Sequence, residues 1–357
     1  MISLLSRRLG PLRNADGDAL LAFDPQELTS LEVILVILVF VGRQILHLLG
    51  LASQFRVNNH DKYELPELSV SMPFDLTEGD LRQYAVALEE PTVQSGDLDR
   101  RDLKALLDSP AQTCLLLSAL TEPAMLLLLA HHKSPIRPLG AVNVKNMFEV
   151  LRPDMCTAES LIKTKTGVVA RLVRQTRKVK RGLEIDVVVE IVSYEEDPLV
   201  IYRQVFTMLQ FMRFRTKPDV LASRTESLDI AELRARGNPA TFTMSMNSPT
   251  TWAAVCKDYN PIHISRLAAN LFGFKSTIAH GNHALAIALE QFERSNEFTF
   301  HSKDKPFSMK VQFRKPIVLP ATLGALAVQD EEDRCDFYVE QKSKICVSAS
   351  LHRSEGR

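Results

Sequence analysis

One order of elements occurs twice in this chain of 357 residues, and it limits the folds open to it. A long apolar helix pattern, Ala111 to His132, is followed by extended runs at Leu139 to Leu151, Ser160 to Arg174, Leu183 to Tyr194 and Leu199 to Phe211. Thr121-Glu122-Pro123 is expected to interrupt that helix. Later, helix patterns at Ser265 to Leu271 and His283 to Glu293 precede strand-like runs at Ser308 to Val318, Thr322 to Gln329, Asp336 to Gln341 and Lys344 to His352. The extended runs are rich in β-branched residues and read as strands. A helix apolar on every side has to be enclosed. An antiparallel sheet wrapped around one buried helix, formed twice, meets both demands, which places the chain in the α+β class. The charged stretch Thr216 to Pro239 carries Pro218, Gly237 and Pro239 and reads as a linker. The expected domains are therefore residues 66–215 and 240–357, with a second polar linker from Asn58 to Glu67.

The chemistry concentrates in the second of these. Asp258-Tyr259-Asn260-Pro261-Ile262-His263 is followed by Gly273-Phe274 and then by Ile278-Ala279-His280-Gly281. A carboxylate and an imidazole stand five residues apart on a turn, and a glycine opens a helix eighteen residues later. Adding or removing water beside a carbonyl needs proton transfers, which Asp258 and His263 can share. It also needs a place for the negative charge that builds on the oxygen, which the Gly281 N–H at a helix start supplies. Asp-x-Asn-Pro alone is a common turn with an aspartate cap; the company of His263 and His280-Gly281 gives it another meaning. Asn260 cannot take a proton at neutral pH, so its task is to hold the loop. His280 is read as supporting. His283 and Phe274 are candidate pocket residues, with a helix-surface position the plainer alternative for His283. No cysteine pair has metal-ligand spacing and no glycine-rich phosphate loop occurs, so neither metal nor cofactor is expected.

This set of motifs resembles the MaoC-like dehydratases, the R-specific enoyl-thioester hydratase family of the hotdog superfamily. Their signature reads Asp-x-Asn-Pro-apolar-His, then Gly-Phe, then Ile-Ala/Val-His-Gly entering the central helix. The likeness is dense from Thr251 to Ala288 and looser through Val311 to Pro320. It implies a double hotdog, with a non-catalytic N-terminal hotdog and one active site per chain. It further implies a 3-hydroxyacyl-thioester dehydratase, a hydro-lyase acting on a CoA or acyl-carrier-protein thioester in fatty acyl metabolism. In the family Asp258 and His263 would both contact the catalytic water; which is acid and which is base stays open. Asn282 replaces the family's usual Met, and Leu289 stands where some hydratases have Ser, which puts the substrate range in doubt. A non-catalytic acyl-binding protein and a hotdog thioesterase are the alternatives, although thioesterases lack the Asp-x-Asn-Pro-x-His turn. Homodimers of double-hotdog chains are compatible with the resemblance.

Lys+Arg and Asp+Glu both total 43, and there is one Trp, so nothing favours a nucleic-acid partner. Five scattered cysteines suit a reducing compartment. The N-terminus is different. Residues 1–30 form a leader or tail with Arg7, Arg8 and Arg13, and residues 31–57 hold an apolar segment read as an appendage separable from the catalytic parts. Its twenty residues from 33 to 52 are long enough to cross a bilayer. Arg43 near their middle costs roughly 2.5–3.5 kcal/mol on insertion scales, against about 0.3–0.6 returned per strong apolar residue. Three readings stay open: membrane attachment through 31–52, a mitochondrial-type leader, and a helix packed on the protein's own surface.

Overall fold

The computed structural model describes residues 19–22, 28–51, 55–57, 63–89, 103–195, 197–214, 230–294, 305–331 and 333–353. Residues 1–18, residues 58–62 of the first polar linker and residues 216–229 of the charged stretch are among those that lie outside the described residues. By packing, the chain divides into two units that interleave in sequence. Residues 1–75, 121–146 and 165–226 form the first unit. Residues 76–120, 147–164 and 227–357 form the second. The sequence reading draws the domains as contiguous halves, and the packing groups residues 76–120 with the C-terminal half instead.

The first unit contains α1 (Ser30–Leu48) and β1 (Ala19–Ala22), β2 (Arg56–Val57), β3 (Tyr63–Glu64) and β4 (Leu68–Phe74). It continues with β5 (Ala141–Val150, which reaches into the second unit's residues), β6 (Thr166–Val179), β7 (Gly182–Ser193) and β8 (Leu199–Phe211). Strand order is β1-β4-β6-β7-β8-β5, with antiparallel pairing from β4 to β8 and a parallel β1–β4 edge. β7 is buried along nearly its whole length, with Ile185, Val187, Val189 and Ile191 all inaccessible.

The second unit contains α2 (Glu78–Leu88) and the start of α3 (Pro110–Ala130), then α4 (Ala158–Lys163), α5 (Ile230–Arg236), β9 (Asn238–Met244) and α6 (Ser248–Cys256). After these come α7 (Pro261–Ile264), α8 (Arg266–Leu271), α9 (Gly281–Arg294) and β10 (Phe307–Phe313), β11 (Ala321–Glu331), β12 (Arg334–Gln341) and β13 (Lys344–Arg353). The sheet runs β10-β13-β12-β11-β9, antiparallel throughout. α9 lies against β9, β12 and β13, and ten of its fourteen residues are buried. This is the sheet-wrapped helix expected from the sequence, and the α+β double-hotdog class holds.

Three expectations change. The run from Ser160 to Arg174, read as extended throughout, begins as a helix capped by Thr157, and its strand starts only at Thr166. The helix expected to break at Pro123 runs unbroken through it. Proline cannot donate to the Ala119 carbonyl, but Leu115, Leu116, Leu117, Ala119, Ala124, Leu127 and Leu128 are all buried, and that burial outweighs the local cost. The linker to Pro239 is also shorter than expected, because α5 begins at Ile230 and β9 at Asn238.

α1 is no detached appendage. Thr29 and Glu32 form a capping box that starts it, with Glu32 Oε2 accepting from the Thr29 N–H (2.8 Å) and hydroxyl (2.7 Å). Val33, Val36 and Phe40 are buried. The Arg43 guanidinium donates to the carbonyls of Leu129, His131 (3.3 Å), Ser134 and Ile136 (2.9 Å), at the C-terminal end of α3 and in the turn beyond it. A helix end leaves carbonyls without intrahelical donors, and a cation there is favoured. The residue that looks like an obstacle to membrane insertion is a cap for another helix. Arg43→Leu should therefore destabilise the protein by roughly 2–4 kcal/mol, with Arg43→Lys intermediate because an ammonium brings fewer donors. Urea unfolding of the three proteins measures this; equal midpoints would mean the carbonyls find other partners.

Candidate active site

α6 ends at Lys257, whose left-handed backbone (φ 59) turns the chain sharply as its N–H closes on Ala253 O (2.8 Å). Asp258 then folds back on itself. Its Oδ1 accepts from the Asn260 N–H (3.1 Å), and Asn260 Oδ1 accepts from Ile262 N–H (3.4 Å). Pro261 occupies the first position of α7, where a missing N–H costs nothing. The Asn260 side chain thus makes a hydrogen bond within the turn itself.

The turn is tied to the segment ahead of α9 at two points. The Ile278 N–H donates to Ile262 O (3.2 Å), and the His263 Nδ1–H donates to Ile278 O (2.7 Å). The far side of that segment is held as well. Ala279 N–H donates to Ile317 O (2.9 Å), and Leu319 N–H to Thr277 O (3.0 Å). Residues 317–319 were expected to continue a strand; β10 stops at Phe313, and this piece instead braces the site.

His280 completes the cluster. Its ring stacks on that of His263 with centroids 3.7 Å apart, and its Nε2 lies 3.3 Å from Asp258 O and 3.7 Å from Asp258 Oδ2. Burial alone would push the Asp258 carboxyl up. The hydrogen bond and charge of His280, the charge of His263 and the Asn260 N–H outweigh it and leave Asp258 below the usual carboxylate range. His263 is pulled down to about 3, by burial first and then by His280, against the opposing pull of Asp258 and the Ile278 carbonyl. At neutral pH Asp258 is an anion and His263 a neutral ring with its Nδ1–H committed. Two acceptors therefore face the site, the carboxylate and His263 Nε2. Asp258, His263 and His280 also place one ligand atom each within 4.8 Å of one another, so the donor set could hold a divalent cation. It would do so by taking both acceptors out of proton transfer.

Gly281 begins α9, and no hydrogen bond is made by its N–H among the described residues. A Cβ there would fall 2.3 Å from Phe313 Cδ1 and Cε1, so the position admits only glycine while that ring stays. Phe274 is half-buried in the turn after α8, where Gly273 takes φ +86 and the Phe274 N–H closes on Ala269 O (3.0 Å).

His283 is neither on the helix surface nor open to solvent. It is 1% exposed, stacks on Trp252 (centroids 5.0 Å) and donates from Nε2 to Ala87 O at 2.6 Å. Around it runs a polar set that sequence reasoning missed. Tyr84 OH donates to Gln112 Oε1 (2.7 Å), Gln112 Nε2 donates to Ala286 O (3.1 Å), and Asn282 Nδ2 donates to Ser118 Oγ (3.4 Å). The substitution of Asn282 for the family's Met thus has a local partner on α3. The only signal in sequence was a polar residue on each apolar helix.

Burial also pulls His283 down to about 3. A histidine held neutral in the fold but titrating near 6.5 when unfolded makes stability fall with acid. Below pH 6.5 the unfolded chain takes up protons that the folded one refuses. Between pH 7.5 and 5.0 each of His263 and His283 should cost about 2 kcal/mol of stability. Urea midpoints at the two pH values measure the loss, and His283→Gln should remove about half of this pair's contribution. A wild-type midpoint that does not move would contradict neutral, buried histidines.

A family model described as MaoC like domain matches residues 232–348. The 3-hydroxyacyl-thioester dehydratase X of Mycobacterium tuberculosis (strain ATCC 25618 / H37Rv) is 31% identical over 216 residues, 60% of this chain and 68% of its own. The crystal structure of HtdX from Mycobacterium tuberculosis superposes with a TM-score of 0.56 at 22% identity, over 80% of this chain and 100% of that one. A MaoC-like dehydratase from Phytophthora capsici gives 0.54 at 16% identity, over 83% and 97%. At these identities the two structures speak to the fold alone.

Proposed function

Since the chain belongs to the MaoC-like dehydratase family, and is on that ground a hydro-lyase, we propose that it interconverts an R-3-hydroxyacyl thioester and the corresponding 2-enoyl thioester through Asp258 and His263. CoA or an acyl-carrier protein would carry the acyl group, in fatty acyl metabolism. What supports this reading most is the pairing of Asp258 with His263, whose Nδ1–H is committed to Ile278 O, ahead of a helix that opens at Gly281, whose N–H makes no hydrogen bond among the described residues.

In the hydration direction a water molecule gives its two hydrogens to the two acceptors, which aims an oxygen lone pair at C3. As the C3–O bond forms, one proton passes to the pair, the C2=C3 electrons become the C1=C2 bond of the enolate, and the carbonyl π electrons move to the thioester oxygen. The Gly281 N–H and the N-terminal end of α9 hold that oxyanion. The pair then returns the same proton to C2, and the enolate collapses to the saturated thioester. Because neither group holds a proton to begin with, one proton serves both steps, and dehydration is the same sequence reversed. His280 supports the pair by packing on His263 and bonding Asp258.

Loss of enoyl absorbance from crotonyl- to dodecenoyl-CoA, with the chirality of the 3-hydroxy product, tests the reading, and an R product is expected. Thiol release without loss of the enoyl group would make the protein a thioesterase. Asp258→Asn and His263→Ala should each lower turnover by about 10²–10⁴-fold without unfolding the protein. Either variant retaining a third of wild-type turnover would remove that residue from the mechanism.

A further inference from the structure

α1 is apolar on two opposite faces, and among the described residues only one is covered. Val33, Val36, Phe40, Arg43 and His47 recur at steps of three and four and make the docked face. His47 Nε2 meets the Arg137 guanidinium at 2.8 Å, and Arg137 in turn donates to Phe211 O (2.7 Å), so the end of the helix is fastened too. Two residues of offset turn a helix by about 200°, and the second stripe is offset by two. It comprises Leu31, Ile34, Leu38, Val41, Ile45 and Leu49, exposed by 63% at Leu31, 47% at Leu38, 52% at Ile45 and 66% at Leu49. Leu46 and Leu51 extend it, and no charged residue of α1 lies on it.

We propose that this stripe seats the protein on the surface of a phospholipid bilayer, with α1 lying in the plane of the membrane and not crossing it. A crossing helix would have to strip Arg43 from four carbonyls, uncover Val33, Val36 and Phe40, and carry that cation into hydrocarbon. In-plane binding leaves all of those contacts in place. The first unit then takes the part that a polar face plays in a free interfacial helix.

The area decides against a second copy of the chain as the occupant. Nineteen residues span roughly 28 Å, and a stripe roughly 10 Å wide offers on the order of 300 Å². A stable protein interface buries about 800 Å² per partner. Its chemistry agrees. Protein interfaces are enriched in aromatic residues, Met and Arg, and the stripe has only Leu, Ile and Val. A bilayer asks only for a continuous aliphatic face, sunk about 5–10 Å.

The test is co-sedimentation of the full-length protein with phosphatidylcholine vesicles containing one-fifth phosphatidylglycerol, at 0.1 and 0.5 M salt, with gel filtration alongside. Wild type should pellet with vesicles at both salt concentrations and leave them in alkaline carbonate. The triple variant Ile34→Glu, Leu38→Glu, Ile45→Glu should stay in the supernatant, with partitioning at least tenfold lower and with unchanged urea midpoint and thioester turnover. The proposal is overturned by a wild type that stays in the supernatant, or by a variant that pellets equally. Resistance to carbonate would mean a crossing helix, and a dimer that becomes a monomer in the variant would assign the stripe to a second copy. None of these outcomes depends on the catalytic reading.

Discussion

Everything in the catalytic reading hangs on the His263 Nδ1–H donating to the Ile278 carbonyl at 2.7 Å. That bond fixes the tautomer, leaving Nε2 as a lone pair, and it fixes the ring plane. It also joins two stretches fifteen residues apart, the turn that presents Asp258 and the segment that leads into Gly281. Residues 317–319 brace the same segment from behind through Ala279 and Thr277. The carboxylate, the imidazole and the helix start are thus held by backbone bonds on three pieces of chain. Little is left to side-chain rotation, and that rigidity is what a site must have if its acceptors are to meet a water and a thioester at fixed distances.

The electrostatics follow from the same packing. Crowding His263 against His280 and removing it from water disfavours the imidazolium, so the ring stays neutral where a solvated histidine would begin to titrate. Asp258 is kept ionised by His280 in spite of its burial. With Asp258 ionised and the His263 ring neutral, the pair is in the state that the proposed one-proton shuttle starts from. The same burial is expected to cost stability in acid.

Much of this was legible in the sequence, for physical reasons that can be named. Asp258, Asn260 and His263 lie within six residues, so their geometry is local and a turn motif encodes it. The four C-terminal strands were found within about two residues at most ends, since half-buried pairing imposes its own alternation, although β10 ended short of Val318. Long-range partnerships were not legible. His283 meets Ala87 across 196 residues and Gln112 meets Ala286 across 174, and neither residue's own neighbourhood announces the other. α5 was concealed inside a charged, proline-bearing stretch, and β9 begins at its end. The unbroken passage of α3 through Pro123 reflects burial on all sides overriding a local signal. Arg43 was misleading in the opposite sense: its partners are four carbonyls at the end of a helix about ninety residues away, so the sequence shows its cost and hides its use.

The central claim, that His263 is a neutral Nδ1–H tautomer presenting a bare Nε2 beside an ionised Asp258, can be read directly from ¹⁵N chemical shifts of histidine-labelled protein. The His263 signal is assigned by its loss in His263→Gln. From pH 8 to pH 5 its Nε2 should keep the shift of an unprotonated ring nitrogen and its Nδ1 that of a hydrogen-bonded N–H. Two protonated nitrogens at pH 6, or an exchanged tautomer with the proton on Nε2, would contradict the account.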